Sequence, residues 1–223
     1  MSRNDSLDTL RGIAFIFMII HHINYFVDVS NDYSTSYSSD RLINNIGNIS
    51  RTMFILLAGY SMNLSVKKNN KEYMKRRFFR SMEVIIHGVI ISCVSYLTFP
   101  NNFVRFGILH FIGLSTLLVA PIVPYKLLTL IALVASIQYK FPRVNNVIDT
   151  ITGASVNYNM LDHFPLNSWL PILLYGVVFG QYFNLPNIPT NSILSYFGKE
   201  ALNLYTLHVV IFLILAKIKN TNQ

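Results

Sequence analysis

Five residues near the N-terminus, Asp8, Arg11, Phe15, Met18 and His22, follow one another at intervals of three and four. On an α-helix such intervals bring side chains to one face, and the eleven positions from Arg11 to His22 make almost three whole turns. The stripe begins with a carboxylate and a guanidinium and ends with an imidazole roughly 16 Å further along. An imidazole titrates near neutral pH and accepts a proton from a hydroxyl or an ammonium, while a guanidinium holds anions. Together they read as the wall of a passage. The plainer reading is that Asp8 and Arg11 cap and anchor a helix while His22 bonds a neighbouring one. We take the plainer reading for Asp8 and the chemical one for His22.

Further polar groups interrupt apolar stretches. Asn44, Asn48 and Arg51 again share one face. Arg51 either finds anions and carboxamides in the interior or snorkels to an interface, and the sequence leaves both open. In RFGILHFIG, Gly107, His110 and Gly113 repeat every three residues, so small residues flank the imidazole, which then faces a helix or a cavity. Tyr205 and His208 stand three apart in the last apolar block, where a structural hydrogen bond explains them as well as chemistry does. His21 and His87 are assigned to packing. No HExxH motif or glycine-rich phosphate loop occurs, so no metal site is expected.

The elements that carry these groups follow from hydropathy. The chain of 223 residues is 52% hydrophobic and 13% charged, half the charge of a typical soluble domain, and its apolar residues come in long uncharged blocks. The expected fold is all-α: a polytopic transmembrane helix bundle forming one domain over residues 1–223. Spans are expected at Leu10–Val27, Leu42–Val66, Met82–Phe99, Phe106–Val123, Leu127–Tyr139, Trp169–Phe183 and Lys199–Lys217. That makes seven, or six if one of the two shorter blocks, the fifth and sixth, only dips into the bilayer. Seven of the 18 Lys and Arg fall in Lys67–Arg80, which reads as a cytoplasmic loop and sets the N-terminus inside. This accounts for the net charge of +8 without nucleic acid as a partner. Long outer connections are expected over Asp28–Arg41 and Lys140–Ser168, the second holding Asp149, Asp162 and His163. The single cysteine, Cys93, permits no internal disulfide and reads as a buried small hydrophobe. The first block lacks a small-residue cleavage signature and reads as a retained span.

SLDTLRGIAFIFMIIHH resembles the opening of the transmembrane acyltransferase superfamily, in which an Arg-Gly is followed by a His eleven positions after the Arg. More closely, MFILLAGYSM, RRFFR, FGILHFIGLS, DHFPLNSWLPILLYGVVFGQYF and FGKEALNLYTLH fall in the order found in the heparan-alpha-glucosaminide N-acetyltransferase catalytic family and its bacterial relatives. The resemblance covers nearly the whole chain. Lysosomal members carry Asn at the position of His22 and a histidine in the loop after it, whereas this chain has no histidine between Ile23 and Arg51, which leaves His22 as the candidate.

The resemblance implies transfer of an acetyl or other acyl group from cytosolic acyl-CoA, acetyl-CoA in the first place, to an amine or hydroxyl of a sugar or glycan acceptor across the membrane. A thioester is already activated, so such an enzyme needs a base, a donor for the oxyanion and a tunnel aligning two substrates. The roles then expected are His22 as base, Arg51 or His110 polarising the acyl carbonyl, and Arg11, Lys75, Arg76, Arg77 and Arg80 holding the CoA phosphates. Asn48, Asp162 and His163 are expected at the acceptor. The basic run also reads as an orienting, lipid-contacting segment. The partners implied are acyl-CoA, a glycan or sugar acceptor, membrane lipids and, as one form of assembly, a homodimer; the location is a multi-pass membrane protein, in the plasma membrane if bacterial. The rival class is a transporter or channel for a small polar or lipid-linked solute, although no paired hydrophobic halves are present. A retinal-type sensor would want a mid-membrane lysine in the last block, but Lys199 and Lys217 lie at its ends.

Overall fold

The structure is a computed structural model that describes residues 5–31, 41–68, 72–155, 159–185 and 188–221. Among these the chain is all-helical: α1 (Asp5–Asn31), α2 (Arg41–Lys68), α3 (Tyr73–Thr98), α4 (Ile108–Val119), α5 (Lys126–Gln138), α6 (Asn146–Thr152), α7 (Leu166–Tyr182), α8 (Ser192–Lys199) and α9 (Ala201–Thr221). One isolated bridge joins Phe106 to His163. Each expected apolar block coincides with a helix. Three stretches, Asp5–Asn24, Tyr73–Thr98 and Ala201–Lys219, are long and apolar enough to cross a membrane. Most of the connection expected over Asp28–Arg41, residues 32–40, lies outside the described residues, as do 69–71 of the basic segment.

Side-chain contacts fix the directions of the helices. Lys199 pairs with Asp5 at 3.5 Å, so α9 starts where α1 starts. Ser81 meets Thr116 at 3.0 Å, placing the end of α4 beside the start of α3. Asn63 donates to the Gly180 carbonyl and Gln181 bonds Thr129 at 2.8 Å, gathering the ends of α2 and α7 with the start of α5. The bundle therefore has a near end, holding the starts of α1, α3, α5 and α9, and a far end, holding the starts of α2, α4 and α7.

Glycines set the closest approaches. A Cβ on Gly176 would come 2.3 Å from the Leu56 carbonyl oxygen and one on Gly59 would come 2.1 Å from that of Leu173, so α2 and α7 touch backbone to backbone. Gly176 and Gly180 form a G-x-x-x-G pair within GVVFG, the spacing that makes such a groove. In the same way α8 lies against α1, with Gly12 under the Leu194 carbonyl and Gly198 under that of Asp8. Asn191 caps α8 by accepting from the amides of Ile193 and Leu194. Pro171 inside α7 cannot donate to the Asn167 carbonyl one turn back, and Lys140 Nζ takes that acceptor at 3.0 Å.

Two sequence expectations change here. α3 begins at Tyr73, not Met82, so Lys75, Arg76, Arg77 and Arg80 are helical rather than in a loop. Arg76 Nη2 donates to the Ser65 carbonyl at 3.0 Å and thereby caps the end of α2. Cys93 is exposed on α3 rather than buried, because its face of the helix meets no other element.

Candidate active site

The centre of the bundle brings together two imidazoles 186 residues apart in sequence. His22 Nδ1 from α1 lies 2.8 Å from His208 Nε2 of α9, and the rings stack at 5.1 Å between centroids. His208 Nδ1 lies 2.9 Å from the Leu204 carbonyl oxygen, one turn back in its own helix. A carbonyl only accepts, so His208 carries its proton on Nδ1 and its Nε2 is the acceptor in the neutral ring. His22 Nδ1–H is then the donor, and the basic lone pair of the neutral His22 ring sits on Nε2. The order Leu204 carbonyl, His208, His22 is a base oriented by a second group that is oriented in turn.

Three further groups surround the pair. Tyr205, buried one turn before His208, has its ring 5.9 Å from that of His22. Arg51 reaches in from α2; its Nε donates to the Gly47 carbonyl at 3.1 Å, while its buried Nη2 has no hydrogen-bond partner among the described residues. The Arg51 charge acts on His22, Tyr205 and Asp162. Asp162 comes from the far-end loop and accepts from the Ile108 amide at 3.3 Å, at the first turn of α4. Gly107 permits this approach, since a Cβ there would stand 2.8 Å from Asp162 Oδ2. Burial pushes the Asp162 carboxyl up to about 6, partly offset by the Arg51 guanidinium and the amides of Ile108 and His163.

A cavity with about 870 Å³ of space, part of it open to solvent, leads to this cluster from the near end. Its lining includes four cationic side chains, Arg11 near the start of α1, Arg77 and Arg80 near the start of α3, and Lys199 at the end of α8. Arg11 is held by Asp8 at 3.1 Å. Buried Arg77 Nε has no hydrogen-bond partner among the described residues, and Arg76 and Arg80 are its like-charged neighbours. Phe54, Leu109, Ile112 and Leu202 form apolar walls, and Ile108 and Tyr205 also line the cavity. Cations at the mouth, apolar walls and a polar end suit a ligand with an anionic head and a long neutral arm.

Of the expected residues the cavity lining holds Arg11, Arg77 and Arg80, and it reaches Tyr205, whose ring neighbours His22, and Ile108, whose amide holds Asp162; the Arg51 charge acts on both His22 and Asp162. The structure does not bring in the other expected residues. Lys75 is exposed outside the cavity lining, and Arg76 is committed to α2. His163 Nε2 bonds the Thr150 carbonyl at 2.7 Å, fastening the loop to α6. Asn48 is exposed. His110 lies on the face of α4 opposite Ile108, Ile112 and Thr116 and lines a separate groove. His21 packs its ring on Gly47, and His87 bonds Thr206 at 2.8 Å, both as packing groups. His208, Tyr205 and Lys199 are the additions. The first two stood as an undecided pair in the sequence, and Lys199, expected at the start of the last span, is instead the last residue of α8, a short helix that no long apolar block announces.

The model of the family described as heparan-alpha-glucosaminide N-acetyltransferase, catalytic, matches residues 3–210. The chain belongs to this family. No curated protein and no solved structure matches significantly. The heparan-alpha-glucosaminide N-acetyltransferase match spans every residue of the cluster, from Arg11 to His208. Membership in this catalytic family implies transferase activity, and with the three long apolar helices it marks the chain as an integral membrane protein.

Proposed function

We propose that the chain is a multi-pass acyltransferase that takes an acetyl or other acyl group from cytosolic acyl-CoA and delivers it to an amine or hydroxyl of a sugar or glycan on the far side. In this reading α1 to α5, α7 and α9 all cross the membrane, the near end faces the cytosol, and in a bacterium the membrane is the plasma membrane. The observation that carries the proposal is the cavity that opens among Arg11, Arg77, Arg80 and Lys199 and is lined by Tyr205, one turn from the His22–His208 pair.

Two features support transfer across the bundle. α4 is only 12 residues long, roughly 18 Å. Ile108 at its start lines the cavity on one side, while its amide holds Asp162 of the far-end loop on the other. In this reading only the first turn of α4 separates the cavity from the far-end loop, and Tyr205, which lines the cavity, stands beside His22.

Arg77, Arg80, Arg11 and Lys199 bind the phosphates of the donor, and the apolar walls take its neutral arm. His22 Nε2 accepts the proton from the acceptor N–H or O–H as its heteroatom bonds the acyl carbon. Arg51 Nη2 donates to the oxygen on which charge develops, a role that its buried, unpartnered state leaves open to it. His208 stabilises the imidazolium of His22. The carbon–sulfur bond breaks, and the proton passes from His22 to the departing thiolate, giving CoA thiol and acylated acceptor. A route through acyl-His22 uses the same groups in two steps.

The test is to incubate purified protein with radiolabelled acetyl-CoA and a panel of amino sugars and glycans, following labelled acceptor, labelled protein and CoA release. Acceptor-dependent release that disappears in His22→Ala is expected. Absence of CoA binding and turnover across the panel, with solute flux in vesicles abolished by His22→Ala, would establish the transporter reading instead.

A further inference from the structure

A second groove, with about 1180 Å³ of space including its open side, lies between α3, α4 and α6 at the far end. It is separate from the cationic cavity, since it uses the opposite face of α4: His110 and Leu114 instead of Ile108, Ile112 and Thr116. Its apolar lining, Ile85, Val104, Phe106, Leu114, Val147 and Ile151, runs along α3 from Ser92 down to Ile85, roughly 10 Å. Beside it α3 exposes Ile86, Val89 and Ile90, and α6 exposes Val147 at 70%. Apolar surface this open is lipid-facing in an integral membrane protein.

Two polar features give the groove a direction. At its far end Arg105 is exposed and stands over the Phe103 ring at 4.2 Å, both residues lining the groove. Within it, in the first turn of α4, His110 Nδ1 is buried without a hydrogen-bond partner among the described residues. The ring is seated on Gly88, where a Cβ would come within 3.0 Å of it. The two hydroxyls here are satisfied internally: Ser92 donates to the Val104 carbonyl at 2.6 Å and Thr150 to the Asn146 carbonyl at 2.7 Å. A buried polar atom left alone is uncommon and calls for a partner. Among the described lining residues none is acidic.

From this we infer that the groove is a binding site for one anionic phospholipid. The headgroup phosphate lies at Arg105, a glycerol ester carbonyl meets His110, and one acyl chain descends between α3 and α4 toward Ile85 and Leu114. A cation at the interface, a hydrogen-bonding group below it and an apolar slot below that is the order in which a phospholipid presents its parts. The inference rests on membrane insertion and not on the acyltransferase reading, so lipid retention is measured apart from turnover.

The experiment is native mass spectrometry of the full chain released from nanodiscs containing equal phosphatidylglycerol and phosphatidylcholine. One phosphatidylglycerol retained per chain, in clear excess over phosphatidylcholine, is expected. Arg105→Gln should reduce that preference roughly tenfold by removing a charge-assisted contact. Val147→Trp, at an exposed position that folding tolerates, should abolish retention of both lipids by filling the groove. Equal retention of both lipids by the unaltered chain, retention undiminished in Val147→Trp, or recovery of only a free fatty acid overturns the assignment.

Discussion

Replacing His208 by Phe removes the acceptor of the His22 Nδ1–H while keeping a ring of similar shape against Phe15 and Tyr205. The buried Nδ1–H then loses its partner, at a cost of about 1–3 kcal/mol. If that loss falls on the state in which His22 is charged, the rate of transfer drops roughly 5- to 150-fold, at about 1.4 kcal/mol per factor of ten. The loss belongs in kcat, because the cationic mouth is untouched and KM for acyl-CoA is unchanged. His208→Gln restores an oxygen acceptor and should recover part of the rate, whereas His22→Ala removes the base itself, worth about 10²–10⁴. Single-turnover acetyl transfer in detergent, run on the three variants with acetyl-CoA binding measured in parallel, separates these effects. A His208→Phe protein with kcat within twofold of the parent, beside an inactive His22→Ala, refutes the relay. Equal loss of kcat and of acetyl-CoA affinity would mean that His208 only holds the fold.

Three other outcomes follow from the same geometry. Arg77→Gln with Lys199→Gln should raise KM for acyl-CoA about tenfold or more and flatten its salt dependence, with kcat little changed, because these side chains meet only the anionic part of the donor. For Asp162, the folded chain holds the carboxyl proton more tightly than the unfolded chain, about 6 against an ordinary 3.8. Its contribution to stability is therefore complete below the lower value and is lost as pH rises through the upper one. Asp162→Asn should thus gain more melting temperature at pH 7.5 than at pH 5, and an equal shift at both would contradict the assignment. Gly198→Ala sets a methyl group against the Asp8 carbonyl, where the built Cβ lies at 1.7 Å, so it should push α8 from α1 and cost about 1–3 kcal/mol in reversible unfolding.

What the sequence revealed followed from the length of its apolar blocks and from periodicity within them. Those signals are local, so all seven blocks appear as helices, and of the Arg11–His22 stripe Arg11 lines the cavity while Phe15 and Met18 pack into the core. The start of α3 was hidden because a basic run flanked by polar residues reads as a loop; that run is helical, and its Arg76 reaches across to the Ser65 carbonyl of α2, a contact between helices that no local pattern encodes. The two short helices lack long apolar runs, and their signals were Asn145 and Asn191 as caps, each inside a polar stretch that reads equally as a turn. Periodicity showed that glycines flank His110 without showing what they face: Gly107 admits Asp162 and Gly113 admits Ile85. The partnership of His22 with His208 depends on how α1 packs on α9, which no spacing within either helix encodes.

The most direct test of the central claim is a structure of the protein with bound CoA in a lipid environment. The account predicts phosphate density among Arg11, Arg77, Arg80 and Lys199, with the thiol extending past Tyr205 toward the His22–His208 pair. CoA seated elsewhere, or its thiol turned away from His22 at the cavity mouth, would contradict it.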